Sequence, residues 1–235
     1  MTDQPDIRLA VLDMAGTTVA DDGLVETAFG AALLAAGVAP GSSREPELWT
    51  HVRDTMGQSK IEVFRAVFDE DTAQLANRAF EASYTDQIDD GRAVALPGAA
   101  EAIRELRAAG ILVALTTGFS RATQQRLVTG LGWDGLADLV LCPEDAGGRG
   151  RPYPDMVLTA LLRLKVDDVA QIAVVGDTAS DIRTGVRSGA SIVAGVLTGA
   201  HDGATLRAAG ATHVLTSIAE LPALLRPAQL TSTPR

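Results

Sequence analysis

Short apolar runs and amphipathic stretches alternate along most of this chain, with one long interruption. The run that starts at Leu9 ends in Asp13, and a Gly16-Thr17 turn follows. That is the pattern of a buried strand delivering one carboxylate to its exposed C-terminal end. No strand pattern follows until about residue 90. Residues 20–23 are acidic and turn-like, a linker. Residues 25–36 then place Val25, Phe29, Leu33 and Leu34 at helical spacing, stopped by Gly37. A second helix is predicted over 45–56, ended at Gly57. A third starts near Ser59 with Ile61, Val63, Phe64 and Val67 on its apolar side, and a fourth covers 71–88. An all-helical segment directly after a first strand is the signature of an inserted domain.

At Leu96-Pro97-Gly98 the period changes. Helices predicted over 99–109, 120–129, 154–164 and 180–188 alternate with short apolar strands over 111–117, 139–142, 172–176 and 192–197. A weaker unit closes the series, with a strand at 213–215 and a helix at 218–225. Apolar strands separated by helices predict an α/β fold, a doubly wound parallel sheet covered on both faces. Such sheets bind ligands at the C-terminal ends of their strands. The expected division is an α/β core of residues 1–20 and 96–228, a helical domain of 21–95, and a flexible tail of 229–235.

Composition narrows the classes. The 235 residues are 46% hydrophobic and 21% charged, which supports a sizeable core rather than a disordered chain. A net charge of -10 disfavours nucleic acid as a partner, because such binders present a basic face. With Cys142 as its one cysteine the chain forms no internal disulfide, and Cys142 reads as a small buried residue at a strand end. No apolar run approaches the roughly 20 residues of a membrane span. Residues 1–8 are polar and lack a signal-peptide pattern, so a cytoplasmic location is expected.

Candidate chemistry gathers at four predicted strand ends. The first supplies Asp13, a candidate nucleophile. The second ends in Thr116-Thr117-Gly118, where a hydroxyl and the N–H groups opening a helix can hold an anion. Gly150-Arg151-Pro152-Tyr153-Pro154 offers a guanidinium for phosphoryl oxygens. The strand over 172–176 leads into Asp177 and Asp181, one helical turn apart; with Asp13 they can hold Mg2+, a hard ion that takes carboxylate and phosphoryl oxygens. Singly, each aspartate reads as a helix cap, Thr117 as a turn residue and Arg151 as a surface charge. Their joint occurrence in this order points to a phosphoryl site.

In this arrangement the chain resembles the haloacid dehalogenase superfamily, with a helical cap inserted after the first strand. Asp13-Met14-Ala15-Gly16-Thr17-Thr18-Val19, Met56-Gly57-Gln58-Ser59-Lys60, Thr116-Thr117-Gly118 and the Arg151 stretch resemble its phosphonoacetaldehyde hydrolase (phosphonatase) branch. The resemblance implies that Asp13 attacks phosphorus and that Mg2+ is held by Asp13, the Ala15 carbonyl and Asp177, with Asp181 supporting. It implies that Thr117 and Gly118 bind the phosphoryl group, that Arg151 replaces the usual lysine, and that Met56 borders the substrate. It further implies that Lys60 forms a Schiff base with a small phosphonate aldehyde. Most phosphatases of the superfamily carry an acid at the position of Ala15; a leaving group activated through an iminium does not need one.

The chain departs from that branch at two positions. Val63 stands where a histidine is expected, and Phe119 where a tyrosine is. His51 is therefore the histidine to consider as a substitute proton shuttle, while His201 and His213 read as loop and edge residues, and Trp49 and Trp133 as packing. Two other readings follow: a phosphate-ester phosphatase in which Lys60 binds substrate, and a non-catalytic binding protein that kept the fold. The expected partner is a small phosphorylated or phosphonate substrate, and the resemblance adds a homodimer through the cap. Cap movement would be gated by the linkers near Asp21 and Leu96.

Overall fold

The computed structural model describes residues 6–226, so the tail expected at 229–235 lies outside the described residues. Six parallel strands form one sheet in the order β3-β2-β1-β4-β5-β6. They are β1 (Leu9–Asp13), β2 (Leu112–Thr116), β3 (Leu139–Leu141), β4 (Ile172–Gly176), β5 (Ile192–Val196) and β6 (His213–Leu215). The central strand β1 is buried along its whole length. Its side chains alternate between two cores: Ala10 and Leu12 join the large cluster on one face, Leu9 and Val11 the smaller one on the other. Alternation of period two with both faces covered is why this strand reads as an unbroken apolar run.

The crossovers are α5 (Ala99–Ala108), α6 (Arg121–Gly130), α7 (Asp155–Leu164), α8 (Ala179–Ser188) and α9 (Gly203–Ala209), and α10 (Leu221–Leu225) ends the described chain. No helix among the described residues is long and apolar enough to cross a membrane. Of these helices, α9 has no counterpart in the sequence pattern. Its Gly- and Ala-rich segment buries Leu206 alone, too little to create an apolar stripe, although Asp202 caps it by accepting the Thr205 N–H at 2.8 Å. The expected C-terminal helix is divided into a 3-10 turn, Ile218–Glu220, and α10, in line with Pro222 near the start of the latter.

Between β1 and α5 lie α1 (Leu24–Ala35), α2 (Glu45–Asp54), α3 (Lys60–Arg65) and α4 (Glu70–Asp89). The two chain segments that lead into and out of this helical insert run together. Ala20 N–H donates to Val94 O and Leu96 N–H to Thr18 O, with a bridge between Val19 and Ala95. Phe80 packs edge to face with Phe29 and with Phe64, which are tilted against each other, and Tyr84 and Phe119 extend the cluster toward the sheet. These rings belong to the apolar cluster that also covers one face of the sheet, while Leu33, Val38 and Leu48 form a smaller cluster within the insert.

A carboxylate fastens the insert to the sheet side. Glu81 on α4 accepts from Ser120 N–H (3.2 Å), from Ser120 Oγ (2.7 Å) and from Thr123 Oγ1. Ser120 is the N-cap of α6, so the carboxylate also meets the positive end of that helix. Glu81→Ala is expected to lower stability by about 1–2 kcal/mol, since these half-buried donors lose a charged acceptor. Urea denaturation checks this, and an unchanged midpoint would show the latch to be energetically neutral.

Candidate active site

Three carboxylates converge where β1 and β4 lie side by side, the switch point of the sheet. Asp13 is the last residue of β1, Asp177 follows β4, and Asp181 lies in the first turn of α8. All three are buried, and each offers an oxygen within 4.8 Å of the others. Asp177 Oδ1 accepts from Thr17 Oγ1 (3.1 Å) and Oδ2 from Ala200 N–H (2.8 Å). Gly16, at φ +84°, brings the β1 turn so close that a Cβ there would lie 2.5 Å from Asp177 Oδ2. A side chain would fit neither that backbone conformation nor that space.

Asp181 combines two roles that the sequence leaves as alternatives. It closes a capping box at the start of α8, accepting from Thr178 N–H (3.0 Å) and Thr178 Oγ1 (2.5 Å). Its other oxygen pairs with Arg151 Nε at 2.8 Å.

Arg151 is the one guanidinium in this group. Its Nη2 reaches Asp13 Oδ1 (2.6 Å) and donates to Thr116 Oγ1 (2.7 Å), and its Nη1 donates to Gly57 O of the insert (3.2 Å). The side chain is thus buried and bonded to carboxylates and to the insert, where the sequence pattern had indicated a group aimed at phosphoryl oxygens. Burial works against its charge, but Asp13, Asp181 and Asp177 outweigh burial and hold the guanidinium above its ordinary range. Conversely, burial pushes the Asp13 carboxyl well above the ordinary carboxylate range despite the pull of Arg151, with Asp181 and Asp177 adding to the rise. Asp177 is pushed up to about 7, first by burial and then by Asp181. Ionised together, three buried carboxylates against one guanidinium would leave negative charge uncompensated, and after burial that is what raises two of them when no cation is bound. An all-oxygen set of this kind fits a hard divalent cation.

Lys60 opens α3 and faces the same small cavity, about 40 Å³, as Asp13, Ala15, Met56, Thr117 and Gly118. The insert meets the sheet closely here. Lys60 N–H donates to Gly118 O (3.4 Å), and a Cβ on Gly118 would lie 2.6 Å from Gln58 O. The Lys60 amine stands over the rings of Phe29, Phe80 and Phe119, 5.3, 5.5 and 5.6 Å from their centroids. It makes no hydrogen bond or ion pair among the described residues. Burial lowers its pKa from the ordinary 10.5, with Asp21 and Asp13 acting in the opposite direction.

Not every expected residue is in place. His51 lies on α2 with Nε2 on Val63 O (2.9 Å) and does not line the Lys60 cavity, so the structure does not support it as a proton shuttle. His201 caps α8, its Nδ1 accepting the Ala179 N–H at 2.8 Å. Thr117 is buried with Oγ1 accepting from Phe119 N–H (3.2 Å) and retains its own proton to donate. Cys142 is buried just beyond β3, as expected, and Trp133 is buried while Trp49 packs half-buried against the core. Thr17, Thr116 and Glu81 were not recognised as site or junction residues. The first two lie inside motifs already conspicuous for their neighbours, and Glu81 is an ordinary charged position on a helix.

This fold and its strand-end carboxylates match an established class. The sequence profile of the haloacid dehalogenase-like hydrolases covers residues 7–189, and the chain belongs to that family. Among its relatives, a phosphonoacetaldehyde hydrolase of Pseudomonas fluorescens is 31% identical over 64% of this chain and 56% of its own length. One from Pseudomonas aeruginosa is 31% identical over 80% of this chain and 72% of its own. The chain therefore spans little more than half the length of the first of these relatives. A phosphonoacetaldehyde hydrolase-like protein from Oleispira antarctica shares the fold at 23% identity and a TM-score of 0.80, covering 96% of this chain and 93% of that one.

Proposed function

We propose that this protein cleaves the carbon–phosphorus bond of a small phosphonate aldehyde, phosphonoacetaldehyde, to give acetaldehyde and phosphate. The observation that carries this reading is the Lys60 amine, buried over three aromatic rings in the cavity that also holds Asp13. Desolvation favours the neutral, nucleophilic amine. Ala15 lines the same cavity with no acid to protonate an alkoxide, which disfavours ester hydrolysis.

In this mechanism Lys60 Nζ condenses with the aldehyde, water leaves, and an iminium forms. An Asp13 oxygen attacks phosphorus, the phosphorus–carbon bond breaks, and its electron pair passes into the iminium to give an enamine. Water hydrolyses the aspartyl-phosphate; protonation of the enamine and hydrolysis of the imine release acetaldehyde and restore Lys60. Thr117 and Gly118 border the phosphoryl end, while Arg151 fixes the orientation of Asp13. Mg2+, held by Asp13 and Asp177 with the Ala15 carbonyl and support from Asp181, supplies positive charge for the phosphoryl oxygens when bound. The helical insert acts as the cap that excludes water.

Incubation with phosphonoacetaldehyde, Mg2+ and borohydride tests the reading. Phosphate release and a reduced two-carbon adduct on Lys60, located by mass spectrometry, are expected. Turnover of sugar phosphates with neither adduct nor phosphonate cleavage would replace it with the ester phosphatase, in which Lys60 binds substrate.

A further inference from the structure

Imine chemistry at Lys60 needs a group that gives a proton to the departing hydroxyl and takes one back on hydrolysis. No histidine is placed for it: His51 is held on Val63 O, His201 on Ala179 N–H, and His213 is exposed on β6. Lys60 borders two cavities. In one, toward α4, Glu81 also acts on the Lys60 charge but is taken up by Ser120 and Thr123, Glu62 pairs with Arg65, and Glu144 accepts from Arg121 N–H. In the other, which holds Asp13, the titratable side chains beside Lys60 are Asp13, Asp21, Arg151 and Asp177. Three of these belong to the phosphoryl end, where Asp13 pairs with Arg151 and Asp177 is bonded to Thr17 and Ala200. Asp21 remains.

Asp21 sits in the linker that enters α1. Its Oδ1 accepts from Val25 N–H at 2.9 Å, while Oδ2 makes no hydrogen bond among the described residues. Among the carboxylates acting on the Lys60 ammonium, its charge acts more strongly than that of Asp13. Asp21 also lines a second, wider cavity of about 400 Å³, rimmed by exposed Asp22, Gly23 and Arg53 and bordered by His201. One carboxyl group thus faces both the chamber of the amine and a route for protons to solvent.

We propose that Asp21 is the proton-transfer residue of the Lys60 imine chemistry, an inference that rests on the function proposed above. After Lys60 Nζ has bonded to the aldehyde carbon, the carbonyl oxygen is a carbinolamine hydroxyl. The Asp21 carboxyl gives its proton to that hydroxyl, the carbon–oxygen bond breaks, water departs, and the nitrogen lone pair closes the iminium. Asp21 is left as a carboxylate facing the new cation. When the imine is later hydrolysed, the same carboxylate takes a proton from the attacking water, which returns it to its starting state. Burial raises the Asp21 pKa from the ordinary carboxylate range, opposed by the Val25 N–H and by Lys60 and reinforced by Glu26 and Asp22. This favours the proton-carrying form at the outset.

The test is the rate of borohydride-trapped adduct formation at Lys60 from phosphonoacetaldehyde, across a pH series, in wild type and Asp21→Asn. Asparagine keeps an oxygen for the Val25 N–H, so the entry to α1 is preserved, and thermal melting verifies it. Asp21→Ser, which also offers a capping oxygen, is the second variant should the first fail to fold. Trapping about 100-fold slower is expected, with loss of the limb of the pH profile that Asp21 contributes and substantial recovery in Asp21→Glu. A wild-type adduct with unchanged rate and profile in both Asp21→Asn and Asp21→Ser overturns the inference alone. Absence of any adduct in the wild type overturns the imine reading and this inference with it.

Discussion

Asp13→Asn is expected to abolish phosphate release, with a loss on the order of 10⁴-fold or more, as for other removed nucleophiles, while making the metal-free protein more stable. The amide keeps the shape of the side chain and an oxygen for Arg151, so the end of β1 stays in place. What it removes is one of three buried carboxylates. With chelator present, the sign of the effect follows from the direction of the shifts. Asp13 is raised well above its ordinary 3.8 and Asp177 is pushed up to about 7, both first by burial. Between the ordinary value and these raised ones the folded state binds more protons than the unfolded chain. Wild-type stability therefore falls as pH rises through that window, and the asparagine variant should show a shallower fall as pH rises above about 4.

Excess Mg2+ should reverse the ranking. A cation that binds the folded state adds stability by mass action, and it should add more where all three carboxylates remain. Urea denaturation at several pH values, with chelator and with Mg2+, measures both parts. Equal stabilisation of wild type and variant by Mg2+ would remove Asp13 from the ligand set.

The sheet was legible because its chemistry is simple. Strands covered on both faces must be apolar along their buried run, and β4 and β5 are apolar throughout while β1 and β2 are apolar up to their last residues, Asp13 and Thr116. The same logic located Asp13, Asp177 and Asp181, since a polar residue that ends such a strand or opens the next helix stands out from its surroundings. What escaped were pairings between segments distant in sequence. Glu81 gains its meaning from Ser120 and Thr123, and Asp21 from Lys60, across the junction of insert and sheet. Taken alone, Glu81 is a surface glutamate and Asp21 a linker residue. Phe29 reads as an ordinary helix-core residue, yet its ring supports the Lys60 amine. The α9 helix was missed for the complementary reason that a Gly- and Ala-rich segment burying one leucine carries almost no pattern.

Lys60→Met is expected to be as damaging to phosphonate cleavage as Asp13→Asn and to strengthen the fold. Without an amine there is no iminium to accept the electron pair, so phosphate release should fall by at least about 10³-fold. Methionine matches the length of the lysine stem, and its sulfur is well suited to the faces and edges of Phe29, Phe80 and Phe119. It also removes the need to bury a charge, and replacement of a buried charge by an apolar group of similar volume can stabilise by on the order of 1 kcal/mol. The pH dependence identifies the cause. Burial lowers the Lys60 pKa below its ordinary 10.5, so between the lowered value and 10.5 the unfolded chain holds a proton that the folded protein has released. The penalty is complete below that window and disappears as pH rises through it. The stability advantage of the methionine variant should accordingly be largest at the low end of the pH range and shrink as pH rises toward 10.5. An advantage that does not change with pH would mean that Lys60 titrates as it does in water, and would remove the physical basis for its role as a nucleophile.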